Sequence, residues 1–246
     1  MKKTIIIAVT IFSVAMIATV WIGGKWFNRT RGHARTVSVV GMAQRDFDSD
    51  LIVWDISYDV LNSNINEGYS ELKAMTGTLK EYFKEQGIDE VKIDFKSVLN
   101  DMETDYVYNR ETHTSQNVFV GYRLTQQVRI ESSDVDRIEK VQRQVGDLLD
   151  RGVRIKENRL SYYYTKLADL KIEMLAEATN NAKDRAETIA QNAGSRLDDL
   201  QTANMGVFQI TAPNSPDEDY SWGGTFNTSS KKKRATINMR LTYTVR

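Results

Sequence analysis

The chain has 246 residues, of which 41% are hydrophobic and 27% charged, and its 33 basic and 33 acidic side chains give a formal net charge of zero. This composition excludes a largely disordered chain and a multi-span membrane protein, and the balanced charge leaves no footprint for nucleic acid. The absence of cysteine excludes disulfides, thiol nucleophiles and the lipidated cysteine of a bacterial lipoprotein.

The N-terminus carries an apolar segment, residues 5–22, without a charged side chain. As a helix it would be about 27 Å long, close to the thickness of a bilayer core. Trp21 and Trp26 lie where interfacial aromatic residues are expected, and no small-x-small cleavage site follows. We therefore expect residues 1–27 to be an uncleaved membrane anchor, with a cleaved signal segment as the alternative, and residues 28–35 to be a linker. The four basic residues after the segment, against two before it, do not by themselves favour export of the body.

The body begins with two segments of period-2 alternation, which predict strands at residues 36–42 and 51–61. One face of the second strand carries large apolar side chains: Ile52, Trp54, Ile56, Tyr58 and Val60. Asp55 and Asp59 lie on the other face, about 13 Å apart, which is too far for a shared proton or a glycosidase pair. We interpret that face as solvated.

A helix is predicted next, from Asn64 to Gly87. Asn64 is a typical N-cap, Glu67 is its capping-box partner, and Gly87 is typical of the left-handed position that ends a helix. The predicted buried stripe consists of Tyr69, Leu72, Met75, Leu79 and Phe83.

Residues 91–95 and 118–130 are then predicted to pair as a hairpin across a polar loop at residues 101–117. The longer strand alternates through Val118, Val120, Tyr122, Leu124, Gln126, Val128 and Ile130. The helix that follows is capped by Ser132 or Ser133 and ends at Gly152. Its predicted stripe consists of Val135, Ile138, Val141, Val145 and Leu148.

The last third of the body contains the longest predicted helix, from Lys166 to Gly194, between strands at residues 153–164 and 200–210. Its apolar stripe includes Leu167, Leu170, Met174 and Ile189, together with a row of small residues, Ala178, Ala182, Ala186 and Ala190. Such a row allows another element to approach closely. A loop from Pro213 to the basic run at residues 231–234 leads to the final strand, residues 235–245.

This order predicts an α+β fold with mostly antiparallel sheet and three helices packed on one side. The body, residues 36–246, is expected to be one domain, or two packed halves at about 36–131 and 132–246.

The residues predict no catalytic, cofactor or metal site. His33 and His113 have no framed catalytic partner, and for His113 with Glu111 and Asp105 a solvated loop is favoured over a metal site. No glycine-rich phosphate loop is present.

Two sets of residues are candidates for contact surfaces. Tyr106 and Tyr108, with the run at residues 162–164, would offer aromatic area, although core and rim positions on a strand are the favoured interpretation of the run. The basic run at residues 231–234 would meet anionic lipid or an acidic partner, against the favoured alternative of a solvated run beside a strand.

Several short motifs resemble the SIMPL domain of bacterial envelope proteins over residues 36–246. They are Val37-Ser38-Val39-Val40-Gly41, Phe119-Val120-Gly121-Tyr122, Leu149-Asp150-Arg151-Gly152-Val153, Ala176-Glu177-Ala178 and Ala182-Lys183-Asp184-Arg185-Ala186. Two departures are Phe47-Asp48-Ser49-Asp50 in place of the usual Pro-Asp, and lysine-rich sequence in place of the Pro-Gly before the last strand. The resemblance implies an exported, periplasmic α+β protein, with members that assemble into ring-like or channel-like oligomers and links to envelope stress. It implies no agreed enzymatic activity and supplies no site residues.

We therefore expect a non-enzymatic protein anchored at the periplasmic face of the bacterial inner membrane, which forms a homo-oligomer through strand edges or the alanine-rich helix. The first alternative is a binding module that presents the tyrosine-rich hairpin loop and residues 213–234 to an envelope partner protein or peptidoglycan. The second is an enzyme whose site is assembled from residues distant in sequence.

Overall fold

The computed structural model describes residues 35–89, 92–110, 113–213 and 223–246, together with Met16, Thr19 and Trp21. Apart from those three residues, the predicted anchor at residues 5–22 lies outside the described part of the chain, as do residues 28–34 of the predicted linker. Within that part, no helix has the length and apolar character that crossing a membrane requires.

The described body has nine strands and four helices and is an α+β fold with mostly antiparallel sheets, as predicted. In chain order the elements are β1 (Thr36–Asp48), β2 (Leu51–Asn62), α1 (Ile65–Glu85), β3 (Ile93–Phe95), β4 (Leu99–Asn109), β5 (Thr114–Ser132), α2 (Val135–Arg143), α3 (Asp147–Asp150), β6 (Ile155–Tyr163), α4 (Leu167–Asn192), β7 (Leu197–Met205), β8 (Gln209–Thr211) and β9 (Lys232–Val245).

The strands form two sheets. A five-stranded sheet has the order β3-β5-β2-β6, with β4 also paired to β5, and a four-stranded sheet has the order β1-β9-β7, with β8 also paired to β9. Packing divides the described chain into two compact units. One contains residues 35–42, 178–206 and 238–246, and the other contains residues 43–177 and 207–237.

The core of the larger unit lies between the five-stranded sheet and α1. The predicted apolar face of β2 is buried, and four buried side chains of α1 belong to the same core: Leu72, Leu79, Tyr82 and Phe83. Tyr69, which was predicted in the same stripe, is instead exposed. Each fully buried side chain of this size contributes about 1.5–3 kcal/mol of burial free energy.

The ends of α1 follow the predicted chemistry. The Asn64 side chain accepts a hydrogen bond from the Asn66 amide and contacts Glu67, and Gly87 has a φ of 69°. Tertiary packing and local capping therefore select the same helix.

The second predicted helix is wrong in two details. Its N-cap is Asp134, whose carboxylate accepts from the Arg137 amide, and the helix is interrupted at Gln144–Gly146 before α3 begins. The carboxylate favours Asp134 as a cap because it meets both the orphan amide and the positive helix end. Gly146 in the interruption has a poor helix propensity. The body thus has four helices in the described residues, not three.

The alanine row of α4 is used inside the smaller unit. Ala178, Ala182 and Ala186 are fully buried, and a Cβ added to Gly41 of β1 would clash with the backbone of Ala178 and Ala182. The close approach expected from the row is confirmed, and its partner is β1 of the same chain. Ile189, which was predicted in this stripe, is exposed.

Two strand predictions are also wrong. The polar loop at residues 101–117 is mostly β4 and the first part of β5, because polar side chains do not prevent a backbone ladder. The predicted strand at 200–210 is divided into β7 and β8 by residues 206–208, which belong to neither strand.

Candidate interaction surface

The outer part of the β4–β5 hairpin is largely exposed to solvent. The pairing of β2 with β5 ends at Asn62 opposite Tyr122, whereas β4 pairs with β5 as far as Asn109 opposite Thr114. Residues 103–109 and 114–121 therefore form a two-stranded ribbon beyond the body of the sheet, which we call the ribbon.

One face of the hairpin carries a series of large apolar and aromatic side chains. Every second residue of a strand lies on the same face, as do residues directly opposite each other on paired strands. One face of the hairpin therefore carries Met102, Thr104, Tyr106 and Tyr108 of β4 together with Phe119 and Tyr122 of β5. Tyr106 is 73% exposed and Met102 is 65% exposed. We define the aromatic face as Met102, Tyr106, Tyr108, Phe119 and Tyr122.

A β-bulge completes this face. The register shifts so that Glu103 lies opposite Gly121 and Thr104 lies opposite Phe119, which leaves Val120 as the extra residue. The Phe119 ring consequently lies edge-on to Tyr122, with ring centroids 5.3 Å apart. Strict alternation predicts Val118, Val120 and Tyr122 on one face. The bulge instead moves Val118 to the opposite face, beside Asp105.

The aromatic face continues the covered face of the five-stranded sheet. Leu124, two residues after Tyr122, is buried, and a Cβ added to Gly68 of α1 would lie 3.1 Å from its Cδ1 atom. Because α1 begins at Ile65, directly after β2 ends, the helix covers the sheet but not the ribbon.

The opposite face carries ionic contacts where the ribbon joins the sheet. Arg123 of β5 pairs with Asp59 of β2 on one side and with Glu103 of β4 on the other. The hydrogen bond from Arg123 is the main cause that lowers the pKa of Glu103. This cluster ties β4 to the sheet through side chains, in addition to the backbone ladder.

Asp55 lies in a second charged cluster on the same sheet face, in a cleft of about 230 Å³. Burial raises the pKa of Asp55, but hydrogen bonds and charges from Arg129 and Arg159 outweigh burial and hold the pKa below its ordinary value. Its two oxygens accept from Arg129 at 2.8 Å and from Arg159 at 3.3 Å. Asp55 is therefore an ionised, arginine-bound carboxylate at neutral pH, and Asp59 is paired with other partners.

The tyrosine run at residues 162–164 is used inside the larger unit. Tyr162 is buried and donates to Glu139 at 2.9 Å, and burial is the main cause that raises its pKa to about 12. Tyr163 stacks on Phe226, and Tyr164 contacts Phe47. The interpretation of this run as core and rim positions is confirmed, and Tyr106 and Tyr108 are the exposed ones.

The basic run at residues 231–234 mostly meets partners in the chain. Lys231 pairs with Asp136 and Glu139, and Arg234 pairs with Asp46. Lys233 is fully buried and donates to the carbonyl of Ser230 at 2.9 Å. Among these four side chains, Lys232 is the one exposed at the strand start.

His113 lies in the turn of the ribbon, where its Nδ1 atom is 3.0 Å from the hydroxyl of Tyr108. Glu111 and His33 lie outside the described residues. In the described part of the chain, no group of three or more histidine, aspartate or glutamate residues is arranged to hold a metal ion.

Residues 37–245 match the family model SIMPL, described as a protein of unknown function (DUF541). The chain belongs to the SIMPL family. The matched range runs from Val37 in β1 to Val245 at the end of β9, so both sheets and the ribbon are parts of the SIMPL domain. A comparison with curated proteins found no match for this SIMPL chain.

Proposed function

We propose that this SIMPL protein is a non-enzymatic protein of the bacterial envelope, anchored at the periplasmic face of the inner membrane, that self-assembles through the ribbon in a structural or stress-related role. The observation that carries self-assembly is the uncharged, exposed aromatic face of the ribbon. The apolar segment at residues 5–22 supports the anchor, and the periplasmic location rests on the likeness to exported members of the family.

The physical argument begins with the weakness of an isolated ribbon. A two-stranded hairpin in water is marginally stable, and both of its outer edges offer backbone groups to another chain. Proteins rarely expose contiguous apolar patches larger than a few hundred Å², and larger exposed patches mark interaction sites. Burial of the aromatic face against a partner would therefore stabilise the ribbon and remove its apolar side chains from water.

The chemistry of the face favours a second copy of the chain. A two-fold interface brings a patch against itself, so charges of one sign on the patch would repel. No member of the aromatic face is charged, and neither are Thr104, Ser115 and Asn117 between them. The opposite face carries Asp105 and the cluster around Arg123.

The test measures the mass of the full chain in detergent micelles by light scattering. The wild type is expected to form an oligomer, and the double substitution Tyr106→Ser with Phe119→Ser is expected to shift it to monomer. Val107→Ser is the matched control, because Val107 lies on the other face of the same strand and is also exposed. A wild type that is monomeric at every concentration reached would contradict self-assembly.

A thiol test uses the absence of cysteine in the chain. Tyr106→Cys is expected to give disulfide-linked dimers under mild oxidation, since the face meets its symmetry mate, whereas Val107→Cys remains monomeric under the same conditions. Equal cross-linking of both variants would indicate random collision.

The competing proposal is a binding module that recruits an envelope partner protein through the same ribbon. It gains support if the wild type is monomeric while Tyr106→Ser with Phe119→Ser abolishes capture of a specific partner. The loop at residues 213–234 has less support as the recruiting surface, because most of its basic end is paired within the chain.

A further inference from the structure

The outer edge of β1 presents backbone hydrogen-bonding groups beside α4. Among the described strands, β1 pairs with β9 alone, and the Arg35 carbonyl accepts from the Val245 amide on that side. The groups of Val40 and Met42 therefore point to the other side. There the Met42 amide donates to Asn181 Oδ1 at 3.2 Å, and Arg185 donates to the Val40 carbonyl at 2.9 Å. Two side chains thus stand where the peptide groups of a further strand would lie.

An open groove of about 520 Å³ runs between this edge and α4. Its lining includes Ser38, Val40, Asp184, Arg185, Thr188 and Ile189. Ile189 of α4 is 48% exposed, so the groove has apolar area available to a ligand.

Asp184 gives the groove its charge preference. Arg185 is engaged with the Val40 carbonyl, and Lys183 pairs with Glu187 instead. Across the described residues, no cationic side chain lies within 4.0 Å of the Asp184 carboxylate. A basic group on an incoming chain would meet a negative charge without displacing an existing ion pair.

We propose that this edge groove binds an extended peptide segment of a partner protein, which adds to β1 as an antiparallel strand and places a lysine or arginine near Asp184. Strand addition draws affinity from backbone hydrogen bonds and specificity from alternate side chains. The β1 edge fits an extended backbone once its two covering side chains move aside, Ile189 fits an apolar side chain, and Asp184 selects a basic one. The site is built from β1 and α4 and does not depend on the ribbon.

Asn181 and Arg185 act as a removable cover of the edge. Their hydrogen bonds occupy positions that the added strand needs, so both side chains must move when it binds. Removal of both side chains is therefore expected to strengthen strand binding, a direction that general destabilisation of the fold would not produce.

The test uses the full chain in detergent and an eight-residue fluorescent peptide that alternates valine with threonine and lysine. Anisotropy is expected to report binding that weakens at least tenfold when alternate backbone nitrogens are methylated, because methylation removes donors and leaves the side chains unchanged. Asn181→Ala with Arg185→Ala is expected to tighten binding several-fold. Equal binding of the methylated peptide, or no binding of the parent peptide at millimolar concentration, would overturn the proposal.

A matched pair of variants, Asp184→Lys and Asp199→Lys, tests the charge preference of the groove. Asp184→Lys is expected to reverse the preference, so that a peptide with glutamate in place of lysine binds at least tenfold better than the parent. Asp199→Lys makes the same change on β7, the opposite edge strand, and is expected to leave the preference unchanged. Equal effects of the two variants would refute a role for Asp184. Tyr106→Ser with Phe119→Ser should not alter peptide binding, so failure here is separate from failure of ribbon self-assembly.

Discussion

The two parts of β5 differ in environment although they belong to one strand. Leu124, Val128 and Ile130 of the inner part are buried against α1, whereas Val118, Phe119 and Val120 of the outer part are between 38% and 45% exposed. Both parts are rich in β-branched and aromatic residues, so propensity does not distinguish them. The difference shows that a covering helix, and not the strand sequence, decides which apolar residues of β5 form a core.

The largest effect should come from the covered part. Trp54 lies opposite Ile130, is fully buried, donates to Asn158 at 2.7 Å and meets Phe83 edge-on. Trp54→Ala is expected to lower the free energy of unfolding by about 3–5 kcal/mol, through lost burial and a cavity. Urea denaturation of the full chain in detergent, followed by circular dichroism, measures it. A loss below about 1 kcal/mol would mean that α1 does not cover a tight core.

The junction between the two parts should give the next largest effect. A Cβ added to Gly121 would lie 2.9 Å from the carbonyl oxygen of Asn62, where β2 ends. Gly121→Ala should therefore cost about 1–3 kcal/mol in the same denaturation experiment. Gly77→Ala is the control, because a Cβ there meets nothing within 4 Å, and within α1 it should add about 0.5–1 kcal/mol. Equal stability of the two variants would argue against a close fit at the junction.

Acidification tests the ion pairs of Asp55, which lie on the sheet face opposite the one that α1 covers. The pKa of Asp55 in the folded chain is lower than in the unfolded chain, so the unfolded chain binds more protons in the acidic range. The contribution of Asp55 to stability is complete above the ordinary pKa of about 4 and is lost as the pH falls through the folded value. The urea concentration at the unfolding midpoint should decrease from pH 7 to pH 3 in both proteins, and the decrease should be smaller for Asp55→Asn than for the wild type. An identical decrease in the two proteins would show that Arg129 and Arg159 do not stabilise the Asp55 carboxylate.

The smallest effect on stability should come from the exposed part. Tyr106→Ser is expected to change the free energy of unfolding of the monomer by less than about 0.5 kcal/mol, because the side chain is mostly in solvent. The measurement is made at a concentration where light scattering reports monomer. A loss similar to that of Trp54→Ala would mean that the ribbon packs within one chain, and the contrast between the two parts of β5 would disappear.

Local sequence signals correctly predicted those elements that depend on interactions between residues close together in the chain. The alternation of β2, the Asn64 cap and the glycine after α1 each act over a few residues, so they are readable in the sequence. The choice of Asp134 over Ser132 and Ser133 as a cap depends on which amide the folded turn presents. Ser132 instead accepts from the Asp134 amide.

The candidate surface was predictable only in part. Tyr106 and Tyr108 were recognisable as contact residues by their type, but residues 101–117 are polar enough to indicate a loop. The pairing of these residues is seen only in the structure, where Asp101 lies opposite Arg123 across the hairpin. The bulge at Val120 could not be predicted from alternation, because a bulge is a break in that alternation.

Patterns in the residues alone were enough to predict the α+β class, the apolar N-terminal segment, the ends of the long helices and the likeness to the SIMPL family. Tertiary structure decided that the alanine row is buried against Gly41, that the tyrosine run and most of the basic run meet partners within the chain, and that the ribbon remains uncovered. The physical reason is range. Propensity and capping act between neighbours in the chain, whereas burial depends on which distant element occupies the space above a side chain.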